Sequence, residues 1–203
     1  MLKLNEFSQR MNEAREFLEE KLIQYNGGKK YGQVVFIAGG AGSGKGFAIS
    51  QFMEGEKFKV RDVDEMKLAY IKLDKLKGKY PEIRGLNLKT PEDVGKLHAF
   101  VAKKGIKDRT LGLLLSNKDV RRLPNIIFDI TAKSMKDITK VIPLLLESGY
   151  KPSDIHITWV LTNYKVAAEN NAGRARVVPE HILMQTHKGA AQTMDKVIMK
   201  GAL

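Results

Sequence analysis

Residues 39–47, GGAGSGKGF, form the stretch of this sequence that most directly predicts chemistry. Five glycines and one lysine fall within its first eight positions, and Gly39, Gly44 and Lys45 match the spacing G-x-x-x-x-G-K. Glycines allow successive backbone N–H groups to converge on a phosphate, and a lysine at this spacing reaches the terminal phosphates. We therefore predict that a nucleotide contacts the following residues: Gly39, Gly40, Ala41, Gly42, Ser43, Gly44, Lys45, Gly46 and Phe47.

Gly46 stands where the common form of this motif has a Ser or Thr that binds Mg²⁺. Adenylate kinase and its nucleoside monophosphate kinase relatives have a similar GSGKG sequence, so a glycine here is compatible with catalysis. A small-molecule or nucleic-acid kinase fits this variant better than a GTPase does. Mg²⁺ would then depend on water and on other oxygens, and we single out Asp129 as a ligand.

Aspartates follow two further apolar segments. Asp62 and Asp64 lie in RDVDEMK, directly after residues 58–60, and Asp129 comes near the end of NIIFDI at residues 125–130. Phosphoryl transfer to a hydroxyl needs a carboxylate that orients the hydroxyl and accepts its proton, while an acid at a strand end can orient Mg²⁺. Aspartates at such positions also form turns or cap helices, so spacing alone leaves both roles open.

Arg174 and Arg176 lie in NAGRARVVPE, residues 171–180, beside a glycine and before a proline. The planar guanidinium group matches phosphate oxygens, and flexible flanks would let both side chains close over a reacting phosphate. The alternative is a surface loop with solvated arginines. The glycine loop elsewhere in the chain favours the lid.

Strands that alternate with helices must position these residues. Residues 34–38 form a short apolar segment with β-branched members, typical of a buried parallel strand, and the glycine loop leads from it into a helix at 47–53. Further strands are predicted at residues 58–60, 125–130, 155–161 and 197–199. This alternation predicts an α/β fold in which helices cover both faces of a parallel sheet.

We expect a single domain over residues 1–203, because the chain is long enough to bury a sizeable core. Residues 1–28 contain an amphipathic helix, and residues 68–124 form a basic helical insertion without a clear strand. The arginine lid spans residues 165–190. The helix of residues 134–149 should bend or break near Pro143.

Positive charge is concentrated in the insertion. Of the net charge of +12, nine units come from residues 67–122, where 15 Lys or Arg stand against 6 Asp or Glu. Such a segment favours a polyanionic partner such as DNA or RNA, but a solvated lysine-rich helical face would have the same composition. No cysteine is present, which excludes disulfides, a thiolate nucleophile and Cys-ligated zinc. The apolar stretches are too short to span a membrane, so we expect a soluble, cytoplasmic protein without a membrane partner.

Three stretches together resemble the P-loop kinases grouped with the zeta toxins and polynucleotide 5'-kinases of phage or bacterial type. They are GGAGSGKG, the D-x-D-x-x-K pattern of Asp62, Asp64 and Lys67, and NNAGRARVVPEHILMQTH at residues 170–187. The resemblance covers residues 34–67 and 125–190. It implies a three-layer P-loop NTPase fold with strand order 2-3-1-4-5, and it implies ATP and Mg²⁺ as cofactors.

The same resemblance implies roles for individual residues. Asp64 would be the base and Lys67 would bind the acceptor, while Lys45 and the lid residues Arg174 and Arg176 would stabilise the transferring phosphate. Asp62 is a further acceptor-binding candidate because of its position at the end of the second strand, and not because of the resemblance. Our preferred acceptor is a hydroxyl on nucleic acid, either a 5'-end or a hydroxymethylated base, because the basic insertion follows Asp64. A nucleotide sugar, as in zeta toxins, or a nucleoside monophosphate is the alternative. A third hypothesis is an ATP-gated binding switch that transfers no phosphate.

Overall fold

The computed structural model describes residues 30–53, 58–116, 119–174 and 176–201. The amphipathic helix that we predict within residues 1–28 lies outside them. Four parallel strands form one sheet in the order β2-β3-β1-β4 within this part of the chain. Their bounds are Val34–Ala38 for β1, Lys59–Arg61 for β2, Ile126–Ile130 for β3 and Ile155–Trp159 for β4.

Helices connect the strands and cover the sheet. In chain order they are α1 Lys45–Phe52, α2 Val63–Lys77, α3 Pro91–Lys103, α4 Ile106–Leu114, α5 Lys136–Thr139, α6 Ile142–Glu147, α7 Tyr164–Ala172 and α8 Glu180–Lys200. Between β2 and β3 the described residues contain helices and no strand, as the sequence predicts.

Alternate residues of the central strands pack on opposite faces of the sheet. Val34 and Phe36 of β1 face a cluster that includes Leu111 of α4 and Leu145 of α6. Val35 and Ile37 face the other side, where α1 contributes Ile49. All five residues of β1 are buried, as a strand covered on both faces requires. The three-layer α/β architecture and the order of these four strands are confirmed.

The prediction of a fifth strand at residues 197–199 is wrong, because these residues belong to the long helix α8. Three successive apolar side chains there suggest a strand, but the helical period continues through them from earlier in α8. Met194 is buried against Ala38 of β1, and Val197, three residues later, packs against the same cluster. The apolar face of α8 therefore extends over the sheet.

The helix predicted for residues 134–149 is broken into α5 and α6, as expected near Pro143. Helix α5 ends at Thr139, and Pro143 lies in the first turn of α6. Proline has no N–H to donate to the carbonyl four residues earlier, which is that of Thr139. The break thus falls where the sequence predicts it.

The helices between β2 and β3 have an apolar cluster of their own, separate from the clusters on the sheet. Tyr70 of α2, Tyr80 and Phe100 of α3 meet edge to face, with ring centroids 5.1 to 5.5 Å apart. Buried Arg61 of β2 joins this segment to the sheet, because its guanidinium donates to the Lys107 carbonyl over 2.7 Å. The segment is thereby held beside the carboxyl end of β2.

Candidate active site

The carboxyl ends of β1, β2 and β3 meet at one edge of the sheet, where α/β proteins usually bind ligands. The phosphate loop, residues 39–44, leaves β1 at this edge. Asp62 and Asp64 follow β2, and Asp129 lies opposite Ile37 near the end of β3. The parallel arrangement thus brings the predicted site residues of three strands together.

Backbone geometry in the phosphate loop requires glycine at two positions. Gly42 has φ +73° and Gly44 has φ +89°, a left-handed conformation that side chains disfavour. A Cβ atom on Gly42 would also overlap the carbonyl oxygen of Ala167 in α7. The loop therefore adopts its shape only with these glycines, and α1 begins directly after it at Lys45.

Side chains hold the carbonyl oxygens of this loop. Lys45 Nζ donates to Gly39 O at 2.9 Å and to Gly40 O at 3.2 Å. The next three carbonyls accept hydrogen bonds from side chains that follow β4 in the chain. His187 Nε2 donates to Ala41 O at 2.8 Å, Asn170 Nδ2 to Gly42 O at 3.0 Å and Thr162 Oγ1 to Ser43 O at 2.6 Å. In a trans peptide the C=O and the N–H of the same unit point in opposite directions. Each N–H that follows one of these carbonyls therefore points away from the side chain that holds the carbonyl.

Lys45 and Asp129 form the polar floor beside the loop. Lys45 Nζ lies 3.6 Å from Asp129 Oδ1, and both side chains are largely buried. Burial raises the pKa of Asp129 to about 6; the Asp62 and Asp64 carboxylates add to this rise and Lys45 opposes it. A cation next to Asp129 would stabilise its charged form against burial and against repulsion from the other two carboxylates. Asp129 is therefore a suitable oxygen ligand for Mg²⁺.

Gly46 and Phe47 lie on the open side of the loop. A Cβ on Gly46 would meet nothing within 4 Å, so the structure has room for the Ser or Thr that the common motif carries at this position. Phe47 is exposed, and its ring contacts Phe52 edge to face. Ser43 is buried, and its hydroxyl oxygen makes no hydrogen bond.

Asp64 is held between two cations. Its Oδ1 accepts from Lys67 Nζ at 2.9 Å, and its Oδ2 accepts from the Arg176 guanidinium. Burial acts to raise the pKa of Asp64, but Lys67, Arg176 and Arg174 together lower it below its usual value. Lys67 and Arg176 are themselves buried. The structure therefore brings together residues that the sequence separates by more than a hundred positions.

Asp62 caps helix α2. Its Oδ1 accepts from the backbone N–H of Asp64 at 2.7 Å, and its backbone is extended as in other N-caps. Of the two roles that spacing left open, the cap is the one that the geometry documents for Asp62. The cap also fixes the start of the helix that carries Asp64 and Lys67.

The two arginines of the predicted lid lie on a loop that is tied at both ends. Asn171 makes two hydrogen bonds to Val178, donating to its carbonyl at 2.8 Å and accepting from its N–H at 2.9 Å. The loop also contacts the segment between β2 and β3, because Lys89 Nζ donates to the Arg174 carbonyl at 2.8 Å. Arg176 points to Asp64, while Arg174 is exposed.

Several residues of the site were not predicted from the sequence. Thr162, Asn170 and His187 hold the phosphate loop, and Thr186 Oγ1 accepts from Ala41 N at 3.1 Å. His98 of α3 lies near Asp64. Burial lowers the pKa of His98, and the positive charges of Lys67, Lys107 and Arg176 lower it further, while the charge of Asp64 acts to raise it. The QTH sequence at residues 185–187 was the available signal for Thr186 and His187.

The family model for zeta toxins matches residues 18–203, which is most of the chain. The chain belongs to the zeta toxin family. Zeta toxins are P-loop kinases, so this zeta toxin-like chain is a phosphotransferase. This confirms the family resemblance that the glycine loop, the Asp62–Lys67 pattern and the arginine segment indicated. A search of curated proteins finds no match.

A solved structure gives independent support for the zeta toxin fold. It comes from a study of the PezAT chromosomal toxin-antitoxin system of the human pathogen Streptococcus pneumoniae. The alignment covers 98% of this chain and 76% of that chain, with a TM-score of 0.50 and 14% sequence identity. At this identity the likeness concerns the fold alone. In the described part of this chain, no helix combines the length and apolar character needed to cross a bilayer.

Proposed function

We propose that this chain transfers the γ-phosphate of ATP to a hydroxyl of a small anionic acceptor, with a nucleotide sugar as the favoured class. One observation carries the proposal: the ion-paired carboxylate of Asp64 lies at the sheet edge where Lys45 and the phosphate loop meet Asp129. A phosphate cradle beside a carboxylate base is the arrangement that phosphoryl transfer to an alcohol requires.

The donor half binds ATP through the loop amides and Lys45. Lys45 now donates to two loop carbonyls, and the phosphates of ATP would take over these contacts. Asp129 would hold Mg²⁺ together with water and phosphate oxygens, since Gly46 supplies no hydroxyl. A bound Mg²⁺ offsets negative charge on the phosphates.

The acceptor half positions the hydroxyl against Asp64. The hydroxyl oxygen attacks the γ-phosphorus, the bond from γ-phosphorus to the bridging oxygen of ADP breaks, and Asp64 takes the hydroxyl proton. Arg176 and Arg174 stabilise the negative charge on the transferring group. Because the cations around Asp64 lower its pKa, the carboxylate is ionised at neutral pH and available as a base.

The charges around Asp64, whose side chain is 39% exposed, favour a small anionic acceptor. Lys67 and Arg176 are buried around it, and the Lys89–Arg174 contact joins the two segments on either side. Three cations near one carboxylate leave excess positive charge, which suits an acceptor that carries phosphate next to its sugar hydroxyl. Nucleotide sugars have this chemistry and are the acceptors of zeta toxins.

A nucleic-acid hydroxyl is the second candidate, on the strength of the nine net positive charges in residues 67–122. Binding to DNA or RNA would weaken steeply with salt, because counterions are released from each neutralised phosphate. An ATP-gated switch without phosphoryl transfer is disfavoured, since it gives no purpose to Asp64 or to Arg176 beside it.

Incubation with γ-labelled ATP and a panel of nucleotide sugars, nucleotides and oligonucleotides tests the proposal. We expect label on a nucleotide sugar with the wild type and none with Lys45→Met. Label on an oligonucleotide end, in a reaction that salt inhibits steeply, would move the assignment to the second candidate. ATP binding without label on any acceptor of the panel would contradict the proposal and favour a switch.

A further inference from the structure

The imidazole of His187 lies against the phosphate loop, beside the carbonyl oxygen of Ala41. Its Nε2 is 2.8 Å from the Ala41 carbonyl oxygen, and a Cβ on Gly40 would overlap its ring. Tyr164 contacts the same ring edge to face, with the centroids 5.7 Å apart. The ring is therefore fixed between α7 and the loop.

The hydrogen bond determines which nitrogen of His187 carries the proton. A carbonyl oxygen only accepts, so Nε2 must be the donor. This bond fixes the peptide plane between Ala41 and Gly42, and the Gly42 N–H on the far side of that plane points away from His187. A rotation of this plane would turn a carbonyl oxygen, instead of an N–H, towards a bound phosphate.

We propose that His187 is a positioning residue for the nucleotide: it keeps the Ala41–Gly42 peptide plane in the orientation that presents the Gly42 N–H to phosphate. Asn170 and Thr162 hold the next two carbonyls in the same way. His187 differs from them because its ring also fills the space that a side chain at Gly40 would need. The role is indirect, since His187 contacts the loop backbone and not the substrate.

Three substitutions separate the hydrogen bond from the packing. His187→Ala removes both, His187→Phe keeps a ring of similar size, and His187→Gln places an amide donor near the position of Nε2. If loss of this hydrogen bond frees the Ala41–Gly42 peptide to rotate, a cost on the scale of an unmade hydrogen bond corresponds to about tenfold weaker ATP binding. We expect this increase in both the Kd and the KM for ATP with Ala and Phe, and a change within about threefold with Gln.

The acceptor KM and kcat at saturating ATP should stay close to wild type in all three variants. His181→Ala is the matched control, because His181 lies six residues earlier on α8 and is exposed. The inference fails if Phe binds ATP as well as histidine does, if Gln is as weak as Ala, or if kcat falls while the Kd for ATP is unchanged. Gln and Phe decide the question even where Ala does not fold.

A double-mutant cycle with Gly40→Ala tests the packing contact. Gly40 does not have a positive φ, so its backbone accepts alanine and the His187 ring is the obstacle. Gly40→Ala should weaken ATP binding in the wild type and have little further effect in His187→Ala. Fully additive losses would contradict the contact.

The inference rests on the proposed use of ATP. Equilibrium binding of ATP to the full chain distinguishes a failure of the inference from a failure of the proposed function. If the wild-type chain binds no ATP, the proposed function fails. If it binds ATP and the His187 variants bind equally well, only the role of His187 fails.

Discussion

The donor and acceptor halves of the site are held in different ways. The phosphate loop is held by hydrogen bonds from side chains to its backbone carbonyls, as from Asn170 and His187, and by glycines that no other residue replaces without strain. Asp64 is instead held by ion pairs to Lys67 and Arg176. A hydrogen-bonded backbone keeps its shape before ATP binds, whereas ion pairs can be exchanged for contacts to a substrate. We therefore expect a donor half that is preformed and an acceptor half that rearranges when substrate binds.

The largest effect should come from the arginine that pairs with Asp64. Arg176→Ala removes a cation that stabilises charge on the transferring phosphate, so we expect kcat to fall about 10³-fold or more while the Kd for ATP changes little. Steady-state kinetics and ATP titration measure both. Arg121→Ala, at an exposed position outside the site, is the control. A change confined to ATP affinity would assign Arg176 to the donor half.

Glycines of the loop test whether the donor half is preformed. Gly42→Ala places a Cβ against the Ala167 carbonyl at φ +73°, and backbone strain alone costs about 1–3 kcal/mol. We expect weaker ATP binding and a lower Tm. Gly112→Ala in α4, which lies outside the site and meets open space, should stay near wild type in both. Equal effects of the two substitutions would show that the loop is not held in this shape.

Asn171 ties the arginine loop, and its loss should affect both stability and turnover. Asn171→Ala removes two hydrogen bonds to Val178, so we expect the free energy of unfolding to fall by about 2 kcal/mol and kcat to fall with it. Denaturant unfolding and kinetics are the measurements. Asn163→Ala removes only the cap of α7 and should cost about 1 kcal/mol without lowering kcat. A normal kcat in Asn171→Ala would show that the hydrogen bonds between Asn171 and Val178 are not needed for catalysis.

The smallest effect is expected where the helices between β2 and β3 contact the arginine loop. Lys89→Met removes an exposed hydrogen bond to the Arg174 carbonyl, worth about 0.5–1.5 kcal/mol, so kcat should fall a few-fold with unchanged ATP affinity. Lys96→Met alters charge on the same segment without touching the loop, and we expect wild-type kinetics. Identical rates in the two variants would show that the contact does not matter for turnover.

The sequence predicts the elements of the donor half well because its determinants are local. The apolar strand, the glycine spacing and the lysine lie within residues 34–45, so pattern alone specifies strand, loop and helix start. The same holds for the helix break before Pro143. At residues 197–199 the local pattern misled, since the packing of the whole of α8 on the sheet outweighs the β-propensity of three residues.

Contacts between distant segments could not be predicted in the same way. His187 and Ala41 are 146 positions apart, and nothing in either segment specifies a hydrogen bond between them. Asp62 and Asp64 look equivalent in the sequence, yet one caps α2 and the other meets Arg176. The cap is a local contact over two residues, whereas the ion pair depends on the fold that brings Arg176 to Asp64 across 112 positions.

The most direct test of the account is Asp64→Asn, which keeps the size of the side chain and removes its capacity to accept a proton. We predict an unchanged Kd for ATP and a fall in transfer of labelled phosphate of about 10²-fold or more, because general bases contribute on this scale. Transfer at the wild-type rate by Asp64→Asn would contradict the assignment of Asp64 as the base and, with it, the division into two halves.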